Sequence, residues 1–268
     1  MFRKALPMVA IAGLCALASP AHAASTTQPG ETVGIASGAP LPPGVYFINT
    51  LSWGERNDTD LIVTIPVVAW STPWHLLGAR LQLLGATPYV WTDDDDGWYN
   101  ILGAAQLAWD LGGGWGVSYL AGAYTNSPSD LGVDSASFNQ RFAISYTADG
   151  WNLTANVING IYTNDDVADY INLDLTAVKT FGKWQLGVVA FGGWDLEDVF
   201  GVQEERFAIG GLVGYDFDRF TLQAYVTQEV MEEDLGEKET RVWGRLVVPL
   251  RKDEPMVEPV ADTYPPLK

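Results

Sequence analysis

The chain has 268 residues, 15 Lys and Arg against 33 Asp and Glu, and a formal charge of −18. A chain this negative repels phosphate backbones, which excludes nucleic-acid binding. No apolar run of about 18 residues outside the N-terminus offers a transmembrane helix, and the length allows one large all-β domain or two small ones.

Residues 1–23 have the pattern of an export signal. Arg3 and Lys4 form a positive start, Leu6 to Ala18 an apolar stretch, and Ala21-His22-Ala23 a small-residue cleavage site, so Ala24 is the expected mature start. Cleavage removes Cys15, the one Cys, and two basic residues but no acid. That leaves 13 basic against 33 acidic residues, or −20, and no disulfide or thiol chemistry. Residues 24–44, rich in Thr, Gly, Ala and Pro, read as a flexible segment or a short plug.

Twelve strands follow, over about 45–54, 59–70, 74–92, 98–110, 115–126, 136–147, 151–163, 169–180, 184–194, 204–215, 219–230 and 239–250. The clearest hairpin runs from Tyr170 to Asp195. Ile171, Leu173, Leu175 and Ala177 share one parity, while Asn172, Asp174 and Thr176 share the other. Alternate residues of a strand point to opposite faces, so one face is apolar and one polar. A helix fits Ile171, Leu175 and Val178, but Gly187, Gly192 and Gly193 in the partner segment oppose it. The same alternation recurs in 151–158, 219–227 and 241–250.

A soluble sandwich would turn the apolar face inward, and a membrane barrel would turn it to lipid. Strand length, Trp and Tyr near strand ends, and the connections favour the barrel. Short connections at Ser71 to Pro73, Leu111 to Gly114, Asp149-Gly150, Phe181 to Lys183 and Asp216 to Asp218 alternate with longer acidic ones. The fold class is therefore all-β, an antiparallel transmembrane barrel of about 12 strands. Short periplasmic turns, longer acidic outer loops and both termini on the short-turn side complete it. Residues 45–250 form the barrel and 251–268 a Pro-rich charged tail.

Leu41-Pro42-Pro43-Gly44-Val45-Tyr46-Phe47, Trp74 to Ala79, Asn159 to Asn164, and Tyr170 to Trp184 with Phe181-Gly182-Lys183 together resemble the outer-membrane family of the MetA pathway of phenol degradation. The resemblance covers most of the mature chain. It implies a barrel that passes aromatic or other hydrophobic compounds. The last strand departs from the usual aromatic barrel ending, closing on Val247-Val248-Pro249-Leu250.

Enzyme chemistry is not expected. His75 is the one His left after cleavage, beside Trp74 at a girdle position, and a Ser-His-acid hydrolase would have to use it. The lumen is the candidate site. Arg141, Arg241 and Arg245 would face Asp174, with Asn139, Asn152, Thr154, Asn156, Asn172, Thr221, Gln223 and Tyr225 between them, as a structural network or a selectivity filter. Asp93, Asp94, Asp95 and Asp96 form either a solvated loop or an oxygen-rich site for loosely held Ca²⁺ or Mg²⁺, and no other cofactor is implied. The expected function is a channel or transporter for passive passage of small hydrophobic or aromatic solutes. The alternative is a closed structural or interaction barrel displaying acidic loops. The expected location is the cell outer membrane, with lipid, lipopolysaccharide and a small solute as partners. Oligomeric state is left open.

Overall fold

The computed structural model describes residues 25–252. The export signal expected at 1–23 and the tail beyond Lys252 lie outside the described residues. One antiparallel sheet contains β1 (Gly44–Arg56), β2 (Thr59–Leu76), β3 (Ala79–Ala86), β4 (Tyr89–Thr92), β5 (Asp96–Trp98), β6 (Leu102–Gly112) and β7 (Trp115–Tyr124). It continues through β8 (Ser137–Tyr146), β9 (Trp151–Tyr162), β10 (Tyr170–Phe181), β11 (Trp184–Asp195), β12 (Glu205–Asp216), β13 (Thr221–Glu233) and β14 (Thr240–Lys252). The sheet closes because β1 pairs with both β2 and β14.

Two pairs of strands are single staves of the wall. β3 and β4 keep one register on β2, with Ala86 opposite Val67 and Val90 opposite Val63. The stave is interrupted at Thr87-Pro88, where Pro cannot donate to the ladder. β5 and β6 form the neighbouring stave, interrupted at residues 99–101. The closed wall thus has twelve staves.

Alternation sorts the side chains as the barrel requires. On β9 and β10, Thr154, Asn156, Asn172, Asp174 and Thr176 are buried in the lumen, while Leu153, Val157 and Ile161 are exposed on the outside. Phe138, Phe142, Val188, Val226 and Val242 continue the outer apolar band. This polarity is the reverse of a soluble fold and suits a lipid solvent. Aromatic residues gather at the end with short turns, where Trp184, Tyr215 and Phe217 meet edge to face in sequence, Phe217 stacks on Phe220 and Trp115 packs on Tyr146. Trp74 packs on Trp70 there, and His75 is exposed beside it.

Three features differ from the sequence expectation. The first short turn is Leu77-Gly78, both residues at positive φ (53° and 79°), and not Ser71 to Pro73. This backbone matches the twist of the flanking strands. β2 instead runs through Pro73 at an irregular pairing between Ser71 and His75, where no ladder N–H is required. Second, the first two connections at the other end are as short as the turns: Asn57-Asp58, both at positive φ, and Asp93 to Asp95, closed by the Thr92 amide donating to the Asp95 carbonyl. The longer loops are 125–136, 163–169, 196–204 and 234–239. Third, the strands place Gly44 and Lys252 together at the turn end, but Ser25 lies at the loop end, because residues 25–43 run through the barrel.

Candidate functional site

Residues 25–43 cross the lumen from the loop end to the turn end as a series of tight turns. The amides of Glu31, Val33, Ile35 and Ala39 each donate to the carbonyl three residues earlier. Gly30 and Gly34 take positive φ (89° and 82°). A Cβ on Gly34 would lie 2.8 Å from Gln223 Oε1, so both conformation and space require Gly.

The inward polar face of the barrel holds this segment. At the loop end the Thr26 amide donates to Tyr162 Oη at 2.9 Å, and Thr26 Oγ1 lies 3.3 Å from Ser137 Oγ. Thr27 meets Tyr124 and Tyr170. Midway, Asp174 accepts from the Gly30 amide at 2.8 Å, the Thr32 amide at 2.9 Å and the Thr32 hydroxyl at 2.6 Å. Asn139 donates to Thr27, Asn156 to Thr32, Asn172 to the Thr27 carbonyl, and Asn152 and Gln223 to the Gly34 carbonyl. Near the turn end Gln106 and Ser118 donate to the Ser37 carbonyl, and the Gly38 amide donates to Ser145. Thr154 bonds Ser145 and Asn152.

The charges are arranged differently from the expected ladder. None of the three arginines pairs with Asp174. Arg141 forms an ion pair with Glu31 at 2.8 Å and donates to Asn139 and Tyr124. Arg245 donates to the carbonyls of Glu31 and Val33, to Thr50, Gln223 and Tyr225. Arg241 pairs with Glu239 and donates to Ser52. The segment occupies the space between the walls and supplies partners to Asp174, Arg141 and Arg245, while Arg241 finds its partners among the barrel's own residues. Thr221 sits half-buried at the turn end, opposite Asp216 and Val247.

Glu31, central to this arrangement, is not among the lumen residues expected from the sequence. It is the one charged residue in 25–43, and that isolation was its signal. Trp243, also inward, is buried against Tyr225 with ring centroids 5.2 Å apart.

The Asp93 to Asp96 carboxylates diverge. Asp93 accepts from the Asp60 amide, Asp95 from the Asp96 amide, and Asp96 from the Tyr89 hydroxyl. Among the described residues no group of three or more His, Cys, Asp or Glu is placed to hold a metal ion.

Among the described residues, two cavities beside the segment lie against the β2 side of the wall. The loop-end cavity, about 150 Å³, is lined by Leu61, Val63, Ile65, Pro88, Val90, Tyr99 and Leu131, with Arg206 and Arg241 also in its wall. The turn-end cavity, about 110 Å³, is lined by Ile48, Ile65, Val67, Ala69, Leu84 and Leu120 and by the polar Thr50, Gln82, Gln106, Ser118, Asn156 and Arg141. Glu31 and Ile65 border both. The Glu31–Arg141 pair thus stands between two chambers that share an apolar β2 wall.

The chain matches the family described as "Putative MetA-pathway of phenol degradation" over residues 21–246. No curated protein matches the chain. Among solved structures, the COG4313 outer membrane channel from Pseudomonas putida F1 is 15% identical with a TM-score of 0.63, covering 79% of this chain and 97% of that one. The NanC porin is 8% identical with a TM-score of 0.52, over 75% of this chain and all of that one (100%). The CymD monoaromatic hydrocarbon channel is 8% identical with a TM-score of 0.49, over 77% and 88%. At these identities the likeness concerns the fold. The twelve-stave barrel and the match across most of its length together make this chain a member of the MetA-pathway phenol-degradation family.

Proposed function

We propose that this protein is an outer-membrane channel for passive, non-enzymatic passage of small hydrophobic or aromatic solutes, with the short turns facing the periplasm. The observation that carries this reading is the pair of cavities along β2, apolar where Leu61, Val63, Ile65, Val67 and Ala69 line them and divided at Glu31 and Arg141. A solute would slide along the apolar wall while the polar segment keeps the rest of the lumen closed. Selectivity would then follow from the width and hydrogen-bonding groups of the constriction. Family membership and the channel-like fold support the same reading.

A second reading, a closed structural barrel, draws on the many hydrogen bonds that fasten residues 25–38. Planar-bilayer recordings of the refolded protein separate the two. The channel predicts discrete openings that small aromatic solutes reduce. A silent membrane holding folded, inserted protein favours the closed barrel.

A further inference from the structure

Arg206 stands apart from the other lumen arginines. Arg141, Arg241 and Arg245 each donate two or more side-chain hydrogen bonds. Arg206 has Glu204 at 3.7 Å, beyond hydrogen-bond reach, and its side chain is only 16% exposed. No side-chain hydrogen bond to it is found among the described residues. It lines the loop-end cavity together with Leu61, Val63, Ile65 and Val90. A partly buried guanidinium with unspent donors beside apolar surface is costly until an acceptor reaches it.

We propose that the loop-end cavity binds small monocarboxylates with an apolar body, the carboxylate seated on the Arg206 guanidinium and the body against the β2 wall. The inference deepens the channel reading and rests on it for its role in passage. A guanidinium fork matches a carboxylate in shape and charge and holds it by two parallel hydrogen bonds. A cavity of about 150 Å³ has room for one aromatic ring. Of the other charges lining the cavity, Arg241 is paired with Glu239 and Glu31 with Arg141, so the charge left to face a solute is the positive one of Arg206. A neutral alcohol would leave that charge unmatched, and an amine would be repelled.

Glu204 is the built-in competitor for Arg206. Burial raises its carboxyl to about 7, against the pull of Arg206, with Asp195 and Asp234 raising it and Arg56 lowering it. A carboxylate ligand is therefore held more tightly at about pH 6, where Glu204 is mostly neutral, than at about pH 8.

The test is calorimetric titration of the full chain, folded in detergent micelles, with benzoate, benzyl alcohol and benzylamine. Benzoate should bind about tenfold more tightly than benzyl alcohol, and more tightly at about pH 6 than at about pH 8. Arg206→Gln should abolish the preference, bringing benzoate down to about the affinity of benzyl alcohol. Arg206→Lys keeps the charge without the fork and should bind benzoate at an intermediate affinity. Equal affinity for benzoate and benzyl alcohol, or benzoate binding that survives both variants, overturns the proposal. If aromatics reduce conductance while benzoate shows no dependence on Arg206, the site fails and the channel stands. If benzoate binds through Arg206 to a barrel that never conducts, the site stands and the channel fails.

Discussion

Asp174 is a buried carboxylate that accepts three hydrogen bonds, two of them from backbone amides of the lumen segment. Its partners are fixed dipoles where a cation was expected. Asp174→Ala should lower stability by about 3 kcal/mol, because bonds to a charged acceptor are worth more than neutral ones and the freed amides stay buried. Urea unfolding in detergent would measure this, and a loss under about 1 kcal/mol would mean the segment is loosely held. Gly34→Ala should also destabilise, since its φ of 82° and the Gln223 side chain both resist a Cβ. That Asp174, Asn139, Asn156, Asn172 and Arg245 point inward was legible from parity alone. Which of them would meet was not, because their partners lie in residues 25–43, which carry no period from which a position could be read.

At the scale of elements, the hairpin β10–β11 was legible nearly to the residue, because its alternation is strict and Gly182 marks its turn. β2 and β3 were not, since Pro73 looks like a turn residue and the true turn at Leu77-Gly78 puts a Leu at positive φ. The loop 196–204 yields a pH prediction. Glu204 is held about 7 in the folded barrel by burial, with the Arg206 guanidinium partly offsetting it. Below its ordinary value of 4.5 both folded and unfolded chains are protonated there, and the group costs nothing. Between that value and about 7 the unfolded chain gives up the proton first, so folded stability falls as pH rises, and above about 7 the full cost is in place. Glu204→Gln should flatten this decline and raise the unfolding midpoint near pH 8. A steeper decline in the variant would contradict the assignment.

At the scale of the whole molecule, the barrel is a polar interior in an apolar coat, and residues 25–43 act as its solvent. Because the only Cys of the chain is Cys15, engineered thiols can fasten this segment specifically. Thr26→Cys with Ser137→Cys replaces hydroxyls 3.3 Å apart, and a disulfide there should hold the segment's loop end to β8. Oxidation should reduce conductance, and reduction should restore it. Glu31→Gln leaves Arg141 without its ion pair, and should shift ion selectivity toward anions, read as a change in reversal potential across a salt gradient. In the proposed route, solutes pass through the lumen beside this segment, at the Glu31–Arg141 pair. This route is tested most directly by comparing single-channel conductance of the intact protein with that of a variant lacking residues 25–38, both refolded and inserted in planar bilayers. A route through the lumen predicts a severalfold larger, steadily open conductance for the shortened chain. Equal conductances from two folded barrels would show that the route does not run through the lumen.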